Sequence, residues 1–303
     1  MSELQHNRSN GDLPAGLTVA ELIHRKLDSL TPSERKVARL LLTNYPVLGL
    51  DSLARFAEKA EVSHPTILRF VSKLGISGYP RFQEQLRDEL NARLKSPLAK
   101  SQPEIRATPG KRDFQERYTE AVCQNIRHSM DSIPAAEFDS ILALLGDTTQ
   151  SVFLLGGRFT DSIATHTYMH LRALRAKVSH VTGLPVSWSE YLLDMDKTCV
   201  LLVFDIRRYQ QEVVVFAEEA QRRGAQVVLV TDQWLSPISR FAQHVLVAHV
   251  EAPSNWDSLT AINVMMETFI AALSNRSWGQ LEDRIGDLEY IRSLFKSDDT
   301  DRS

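Results

Sequence analysis

Five polar or basic residues in the N-terminal third carry groups that can form hydrogen bonds with nucleic acid. They are Ser63, His64, Thr66, Arg69 and Lys73. Hydroxyl and imidazole groups can meet base edges, and guanidinium and ammonium groups can meet bases or phosphates. The spacing of Thr66, Arg69 and Lys73 predicts that they share the outer face of one helix. We therefore expect this face to enter the major groove of double-stranded DNA. The alternative is an ordinary helical hairpin with a solvated face.

Three arginines in the C-terminal part could bind an anion, because each guanidinium presents a planar fork that matches carboxylate or phosphate. Arg158 follows one short apolar run, and Arg207 and Arg208 follow another. We expect Arg158 and Arg207 to face one another, with Asp205 orienting one of them. The alternative is an internal network of Asp205 and arginine that fills the pocket and binds nothing.

The residues that could meet DNA belong to the stretch 51–75, which predicts two short helices with a tight break at residues 61–63. Ser63 is a natural N-cap for the second helix. The inward side of that helix is predicted to be an apolar stripe with helical spacing. The stripe consists of Ile67, Phe70, Val71 and Leu74. Gly75 and Gly78 are expected to end the helix.

The N-terminal region contains three segments in order, TPSERKVA, LARFAEKAEVS and TILRFVSKLGISGYPRF. Together they resemble the N-terminal DNA-binding domain of the RpiR family of bacterial transcription regulators. The resemblance runs from about Leu17 to Leu94. It implies an all-α helix-turn-helix domain, a double-stranded DNA operator as partner, and a role in transcription regulation.

Beyond residue 151, short apolar runs alternate with amphipathic stretches of helical period, which predicts a doubly wound parallel sheet flanked by helices. Such sheets bind ligands at the carboxyl ends of their strands. The layout up to about Leu273, above all the stretch RGAQVVLVTDQWLSPISRFAQHVLV, resembles the sugar isomerase (SIS) domain, the usual C-terminal half of RpiR regulators. The resemblance implies an α/β domain for effector binding and dimerisation.

The sequence departs from the SIS pattern in two ligand-binding loops. SIS domains carry Gly-x-Gly-x-Ser after the first strand and Ser-x-Ser-Gly-x-Thr after the third, and the hydroxyls of the second pattern cradle a sugar phosphate. The matching positions here are Gly156, Arg158, Thr160, Asp205, Arg207, Arg208 and Gln210. Guanidinium groups replace the hydroxyl cradle, so we expect a small anionic metabolite, either a sugar phosphate or a carboxylate.

Composition divides the chain into four predicted segments. Residues 1–16 are expected to be a disordered tail, 17–95 the helix-turn-helix domain, 96–111 a linker, and 112–296 the SIS-like domain. Residues 1–100 carry 15 Lys and Arg against 11 Asp and Glu, whereas the rest carry 20 against 27. A basic front end and an acidic back end suit a DNA-reading unit joined to a unit that reads another signal.

No apolar run approaches the ~18–20 residues that a membrane helix needs, so we expect a cytoplasmic protein. Two distant cysteines indicate neither a disulfide framework nor a metal site. His166 and His170 share a helix face but lack a third ligand, so we expect no metal and no cofactor. Three tryptophans near loops could line the cavity or belong to the core: Trp188, Trp234 and Trp256.

The resemblance leaves an enzyme as a weaker alternative, because SIS domains also occur in sugar-phosphate isomerases. Such a reaction needs a base, and the loop-adjacent candidates are Glu190 and His180. We expect a regulator rather than an enzyme, with a DNA-binding protein carrying an inert dimerisation domain as the main rival. We also expect a homodimer or homotetramer, because a helix-turn-helix reads a palindrome through two-fold symmetry.

Overall fold

The computed structural model describes residues 17–94, 111–276 and 278–295. The predicted tail and residues 96–110 of the predicted linker lie outside these ranges. The chain divides into two compact units, residues 1–91 and 92–303.

The region between Leu17 and Leu94 is helical, as predicted. Its helices are α1 (Val19–Lys26), α2 (Pro32–Thr43), α3 (Leu53–Ala60), α4 (His64–Lys73) and α5 (Tyr79–Leu94). Two of them begin with reciprocal capping boxes. In α2, Glu34 N donates to Thr31 Oγ1, and the Glu34 carboxylate accepts from Thr31 N at 2.8 Å. Each box satisfies backbone donors that the first turn of a helix leaves without partners.

The core of the first unit is built from aromatic and aliphatic side chains of helices α1 to α5. Those with the largest fully buried side chains include Leu41, Phe56, Ile67, Phe70, Phe82 and Leu86. The predicted inward stripe of α4 is confirmed, since Ile67, Phe70, Val71 and Leu74 are all fully buried. The predicted end of that helix is also confirmed, because Gly75 and Gly78 adopt φ values of 82° and 92°.

A buried carboxyl group ties the start of α1 to α5. Glu89 accepts a hydrogen bond from Val19 N at 2.8 Å, and the Tyr45 hydroxyl donates to its other oxygen. Burial raises the pKa of Glu89 to about 8, against the opposing effect of the Val19 hydrogen bond, and the nearby Glu21 raises it further. The group is therefore largely protonated at neutral pH, unlike an ordinary glutamate.

The second unit contains a five-stranded parallel sheet, which confirms the predicted fold class. Its strands are β1 (Ser151–Gly156), β2 (Val178–His180), β3 (Cys199–Asp205), β4 (Gln226–Asp232) and β5 (His244–Ala248). They lie side by side in the order β2-β1-β3-β4-β5. The helices are α6 (Lys111–Asp131), α7 (Ala135–Gly146), α8 (Asp161–Leu174), α9 (Trp188–Leu193), α10 (Gln211–Arg222), α11 (Thr260–Arg276) and α12 (Trp278–Leu294).

Helices cover both faces of the sheet, which explains why its strands read as continuous apolar runs rather than alternating ones. Helices α7, α8 and α11 pack on one face, where Leu154 and Phe204 point. Helix α10 packs on the other face, where Leu155 and Val203 point, and α9 lies there as well.

The strand order creates a crevice between β1 and β3. These strands are neighbours, with Gly156 opposite Phe204 at their carboxyl ends. The helix that follows β1 packs on one face of the sheet and the helix that follows β3 packs on the other. The loops after β1 and β3 therefore lead to opposite faces of the sheet. Open α/β sheets bind ligands in the space between two such loops.

The raised pKa of Glu89 predicts a pH-dependent stability for the helical unit. A carboxyl whose pKa is higher in the folded state contributes fully below its ordinary value of 4.5, and this contribution is lost as the pH rises through about 8. Glu89→Gln imitates the protonated form. We expect the variant to match the parent near pH 5 and to exceed it above pH 8 in the free energy of unfolding, measured by urea titration with far-UV circular dichroism. Glu84→Gln, exposed on the same helix, is the control and should leave the pH dependence unchanged.

Candidate functional site

Helices α3 and α4 form the predicted pair with its turn at residues 61–63. Glu61 ends α3 in the left-handed region, with φ 50° and ψ 48°. That conformation favours glycine, and here a glutamate adopts it. Val62 N donates to Ala57 O at 3.0 Å, so the backbone of the turn is satisfied before α4 begins at His64.

Four of the five residues predicted to meet DNA are exposed: Ser63, His64, Arg69 and Lys73. Ser63 occupies the N-cap position, but its hydroxyl lies 2.9 Å from Thr66 Oγ1 instead of capping a backbone N–H. Thr66 was expected on the outer face, and this expectation is wrong, since only 8% of it is exposed. It borders the apolar stripe, and its hydroxyl is shared with Ser63 and, at 3.4 Å, with Arg69.

Lys73 is exposed as expected, but its amine has a partner within the first unit. Its Nζ lies 2.6 Å from Glu34 Oε2 and 3.2 Å from Ser29 O. Burial would raise the pKa of Glu34, but hydrogen bonds from Lys73 and Thr31 outweigh it and lower the pKa. Lys73 therefore ties α4 to the start of α2. A DNA phosphate that contacted the Lys73 ammonium group would compete with the Glu34 carboxylate for it.

A cavity of about 540 Å³ opens at the carboxyl ends of β1 and β3. Six of the seven predicted effector residues line it: Arg158, Thr160, Asp205, Arg207, Arg208 and Gln210. Gly156 lies beneath it, where a Cβ atom would overlap the backbone of Thr160 and Asp161. A glycine at this position lets α8 start directly against β1.

The predicted pairing of Arg207 is wrong. Its Nε and Nη2 donate to the two carboxylate oxygens of Asp257 at 2.9 and 2.6 Å, and Nη2 lies 3.2 Å from Glu251 Oε1. The guanidinium stacks on Trp234 with its Cζ 3.7 Å from the ring centroid. Only 1% of the side chain is exposed. A desolvated guanidinium needs such bidentate pairing, so Arg207 binds these two acidic residues instead of facing Arg158.

Asp205 does not orient an arginine either. Ser236 Oγ donates to Asp205 Oδ2 at 2.5 Å, and the carboxyl is buried at the floor of the cavity. Burial raises its pKa to about 7, although the Ser236 hydrogen bond opposes the shift. The neighbouring Asp232 is fully buried, and burial raises its pKa too, against hydrogen bonds from the Tyr209 hydroxyl and from Arg207 N, each 2.6 Å long. Within the described part of the chain, no arginine forms a hydrogen bond or ion pair with the Asp205 side chain, although the charge of Arg93 lowers its pKa.

Thr160 and Gln210 connect the loop after β1 to the end of β3 and to the loop that follows β3. Thr160 Oγ1 donates to Phe204 O at 2.7 Å and accepts from Gly157 N at 2.8 Å. Gln210 Oε1 accepts a hydrogen bond from Arg158 N. Both side chains thus fix the loop after β1 against the end of β3, and the Thr160 hydroxyl and the Gln210 side-chain oxygen are committed to the protein.

Two cavity-lining guanidinium groups differ from Arg207. Arg158 and Arg208 are both exposed. Among residues 17–94, 111–276 and 278–295, neither side chain forms a hydrogen bond or ion pair, and Arg158 lies 5.3 Å from the ring centroid of Phe159. These two arginines can therefore bind an incoming anion without first breaking a contact to a carboxylate.

The loop after β5 supplies residues that the sequence did not single out as a site. Asn255 and Asp257 line the cavity, together with Trp256, which was one of three tryptophans considered. Trp256 packs edge-on against Phe159 with ring centroids 5.6 Å apart. The Asn255 Oδ1 atom is buried and has no hydrogen-bond partner in the described part of the chain. The position of this loop at a carboxyl strand end could have indicated these residues.

Comparison with protein families agrees with this architecture. Residues 17–93 match the model for the helix-turn-helix domain of the rpiR family, and residues 148–272 match the model for the SIS domain.

The chain belongs to the RpiR family.

Relatives of this RpiR protein match part of it. HTH-type transcriptional regulator HexR of Pseudomonas aeruginosa is 36% identical over 112 residues, which are 37% of this chain and 36% of HexR. Bifunctional protein glk of Burkholderia mallei is 36% identical over 102 residues, 34% of this chain and 15% of that protein. An HTH-type transcriptional regulator of Haemophilus influenzae is 22% identical over 72% of this chain and 75% of its own length. The match thus spans little more than a third of HexR and far less of glk.

Two solved structures share the fold of this RpiR protein. The sugar isomerase domain of an RpiR transcription factor from Sphaerobacter thermophilus has a TM-score of 0.54 at 18% identity, covering 58% of this chain and 97% of that one. NanR of Vibrio vulnificus, complexed with ManNAc-6P, has a TM-score of 0.52 at 16% identity. The match covers 91% of this chain and 99% of that one.

The other side chains considered in this RpiR protein lie outside the cavity lining. His180 Nε2 lies 2.8 Å from Asp161 Oδ1, and neither His180 nor Glu190 lines the cavity. His166 lies 3.6 Å from Glu267, and no group of three or more His, Cys, Asp or Glu among the described residues is arranged to hold a metal. Within the same residues, no helix has the length and apolar character to cross a membrane.

Removing the Arg207 side chain should destabilise the second unit of this RpiR protein. Arg207→Ala would remove the two hydrogen bonds that the guanidinium donates to Asp257, whose side chain is 15% exposed. We expect a loss of about 3 kcal/mol, typical of breaking a buried ion pair. Urea unfolding followed by tryptophan fluorescence measures it, because all four tryptophans lie beyond residue 187. The control is Arg208→Ala, the same change at the next residue. Its free energy of unfolding should stay within about 0.5 kcal/mol of that of the parent. Equal stability of the two variants would contradict the assignment.

Proposed function

We propose that this protein is a bacterial DNA-binding transcription regulator whose SIS-like unit senses a small anionic metabolite. The observation that carries the proposal is the cavity at the carboxyl ends of β1 and β3, into which two exposed guanidinium groups project charge. Arg158 and Arg208 have no carboxylate partner among the described residues, whereas Arg207 is paired to Asp257. A small anion could neutralise both exposed groups.

The DNA-binding half of the proposal rests on α3 and α4. Ser63, His64 and Arg69 are exposed on and just before α4, while its opposite side is fully buried in the core. A helix with a buried stripe and a small polar outer face suits the major groove. The names of HexR and of the Haemophilus influenzae relative, both transcriptional regulators, support the same role.

The ligand should contain hydroxyl groups as well as an acidic group. Asn255 Oδ1 is a buried acceptor without a partner in the described residues, so a donor on the ligand would remove a desolvation penalty. Trp256, 57% exposed, offers an apolar surface beside it. A sugar phosphate or a sugar-derived carboxylate supplies the acidic group, the hydroxyl donors and a ring that can lie against Trp256. The ManNAc-6P in the NanR structure supports a ligand of this class.

The mechanism of regulation is a shift between arrangements of the protein that bind DNA differently. An anion can change DNA affinity only if it binds one arrangement more tightly than another. We infer that the protein acts as a homodimer or homotetramer, since two helix-turn-helix units related by two-fold symmetry would read a palindromic operator. The cavity then acts as a sensor and needs no catalytic base.

Anion binding by the two exposed arginines can be tested by thermal denaturation with a panel of sugar phosphates and sugar acids. A ligand at 100 times its Kd should stabilise the parent by about 2.7 kcal/mol. Arg158→Ala and Arg208→Ala should each weaken binding about 10- to 100-fold, because a hydrogen bond to a charged group contributes about 1.5–3 kcal/mol.

The matched control is Arg222→Ala, which removes an exposed arginine outside the cavity lining. It should keep the response of the parent. If no member of the panel stabilises the parent, the SIS-like unit is an inert dimerisation domain. If the parent and all three variants respond equally, the anion binds elsewhere.

A further inference from the structure

Helices α2 and α3 border a shallow groove of about 550 Å³ on the first unit. The groove is lined by Pro32, Arg35, Lys36, Arg39, Leu40, Thr43, Lys59 and Glu61. We call it the α2–α3 groove. Four of these residues are cationic and only Glu61 is anionic, so the groove carries a net positive charge.

The cations of the groove are only weakly held by the protein. Lys36 pairs with Glu61, but their side chains are 50% and 78% exposed, and Lys59 pairs with Asp51 at 2.9 Å with 47% exposure. Exposed pairs of this kind contribute about 0–1 kcal/mol. The side chain of Arg39 forms no hydrogen bond or ion pair within residues 17–94, 111–276 and 278–295, and that of Arg35 donates from Nε to Leu30 O at 2.9 Å. An external polyanion could therefore compete for these charges.

The groove lies beside the helix that is proposed to read DNA. Glu61 lines it and stands two residues before Ser63, the N-cap of α4. The other end of α4 contacts the same helix α2, because Lys73 pairs with Glu34. Helix α2 thus runs alongside α4. When the leading end of a reading helix enters the major groove, the phosphate backbone passes the elements that flank it.

We propose that the α2–α3 groove binds the phosphate backbone of duplex DNA, with Arg35 and Arg39 as direct contacts and Glu61 as a residue that weakens binding. The proposal rests on the proposed function, since it concerns the duplex that α4 would read. It adds a helix outside the helix-turn-helix pair to the DNA surface. Phosphate contacts fix position and add affinity for every sequence, whereas base contacts select sequence.

The role assigned to Glu61 follows from its pairing with Lys36. Its carboxylate neutralises one of the four cations, and this ion pair lowers the pKa of Glu61 through a hydrogen bond and charge attraction. At neutral pH the carboxylate therefore repels a phosphate that approaches the groove. Removing its charge should strengthen DNA binding, an effect opposite in sign to that of removing a cation.

The experiment is a salt titration of the full chain binding to a fluorescent 30-base-pair duplex of arbitrary sequence, at about 50 to 200 mM KCl. Each phosphate contact contributes about 0.9 to the slope of log affinity against log salt. Arg35→Ala/Arg39→Ala should weaken binding at least about tenfold at the low-salt end and reduce the slope by about two. Glu61→Gln should bind more tightly than the parent.

The matched control is Arg81→Ala/Arg87→Ala, which removes two exposed arginines of α5 outside the groove. It should lose less affinity and less slope than the groove variant. If the parent binds DNA but the groove variant behaves like this control, or Glu61→Gln does not gain affinity, the groove proposal fails while the proposed function stands. A parent that binds no duplex at any salt would overturn both.

Discussion

The buried ion pair between Arg207 and Asp257 is the interaction on which the shape of the effector cavity depends. A desolvated charge must be paired, and Asp257 and Glu251 provide this pairing while Trp234 covers the planar face. Arg207 comes from the loop after β3, whereas both acidic residues come from the loop after β5. The ion pair thus holds two separate loops at one end of the sheet, and the cavity lies against the surface that they form.

This constraint decides which side chains remain for a ligand. Arg207 is committed to Asp257, and the hydroxyl of Thr160 is committed to the backbone of β3. Where SIS domains use hydroxyls to cradle a sugar phosphate, this chain leaves Arg158 and Arg208 exposed. Two exposed guanidinium groups that line the cavity suit an acidic group of either planar or tetrahedral geometry. The rest of the ligand would therefore decide which acid is bound.

Local patterns in the sequence predicted the elements, because burial on one or both faces imposes a period on the residue types. The apolar stripe of α4 and the continuous apolar strands both followed from such patterns. Contacts between distant residues did not. Arg207 and Asp257 are 50 positions apart, and Glu34 and Lys73 are 39 apart. No local period encodes these pairs, so the burial of Arg207, the burial of Thr66 and the pairing of Lys73 had to be seen in the structure.

The central claim is that an anion in the cavity changes how the protein binds DNA. The most direct test measures the Kd of the full chain for a duplex selected from a random library, with and without a saturating sugar phosphate or sugar acid that stabilises the protein. We expect a change of about 5- to 150-fold in the parent, the usual range of allosteric coupling, and a smaller change in Arg208→Ala at the same ligand concentration. An unchanged Kd in the parent, with the ligand demonstrably bound, would contradict the central claim.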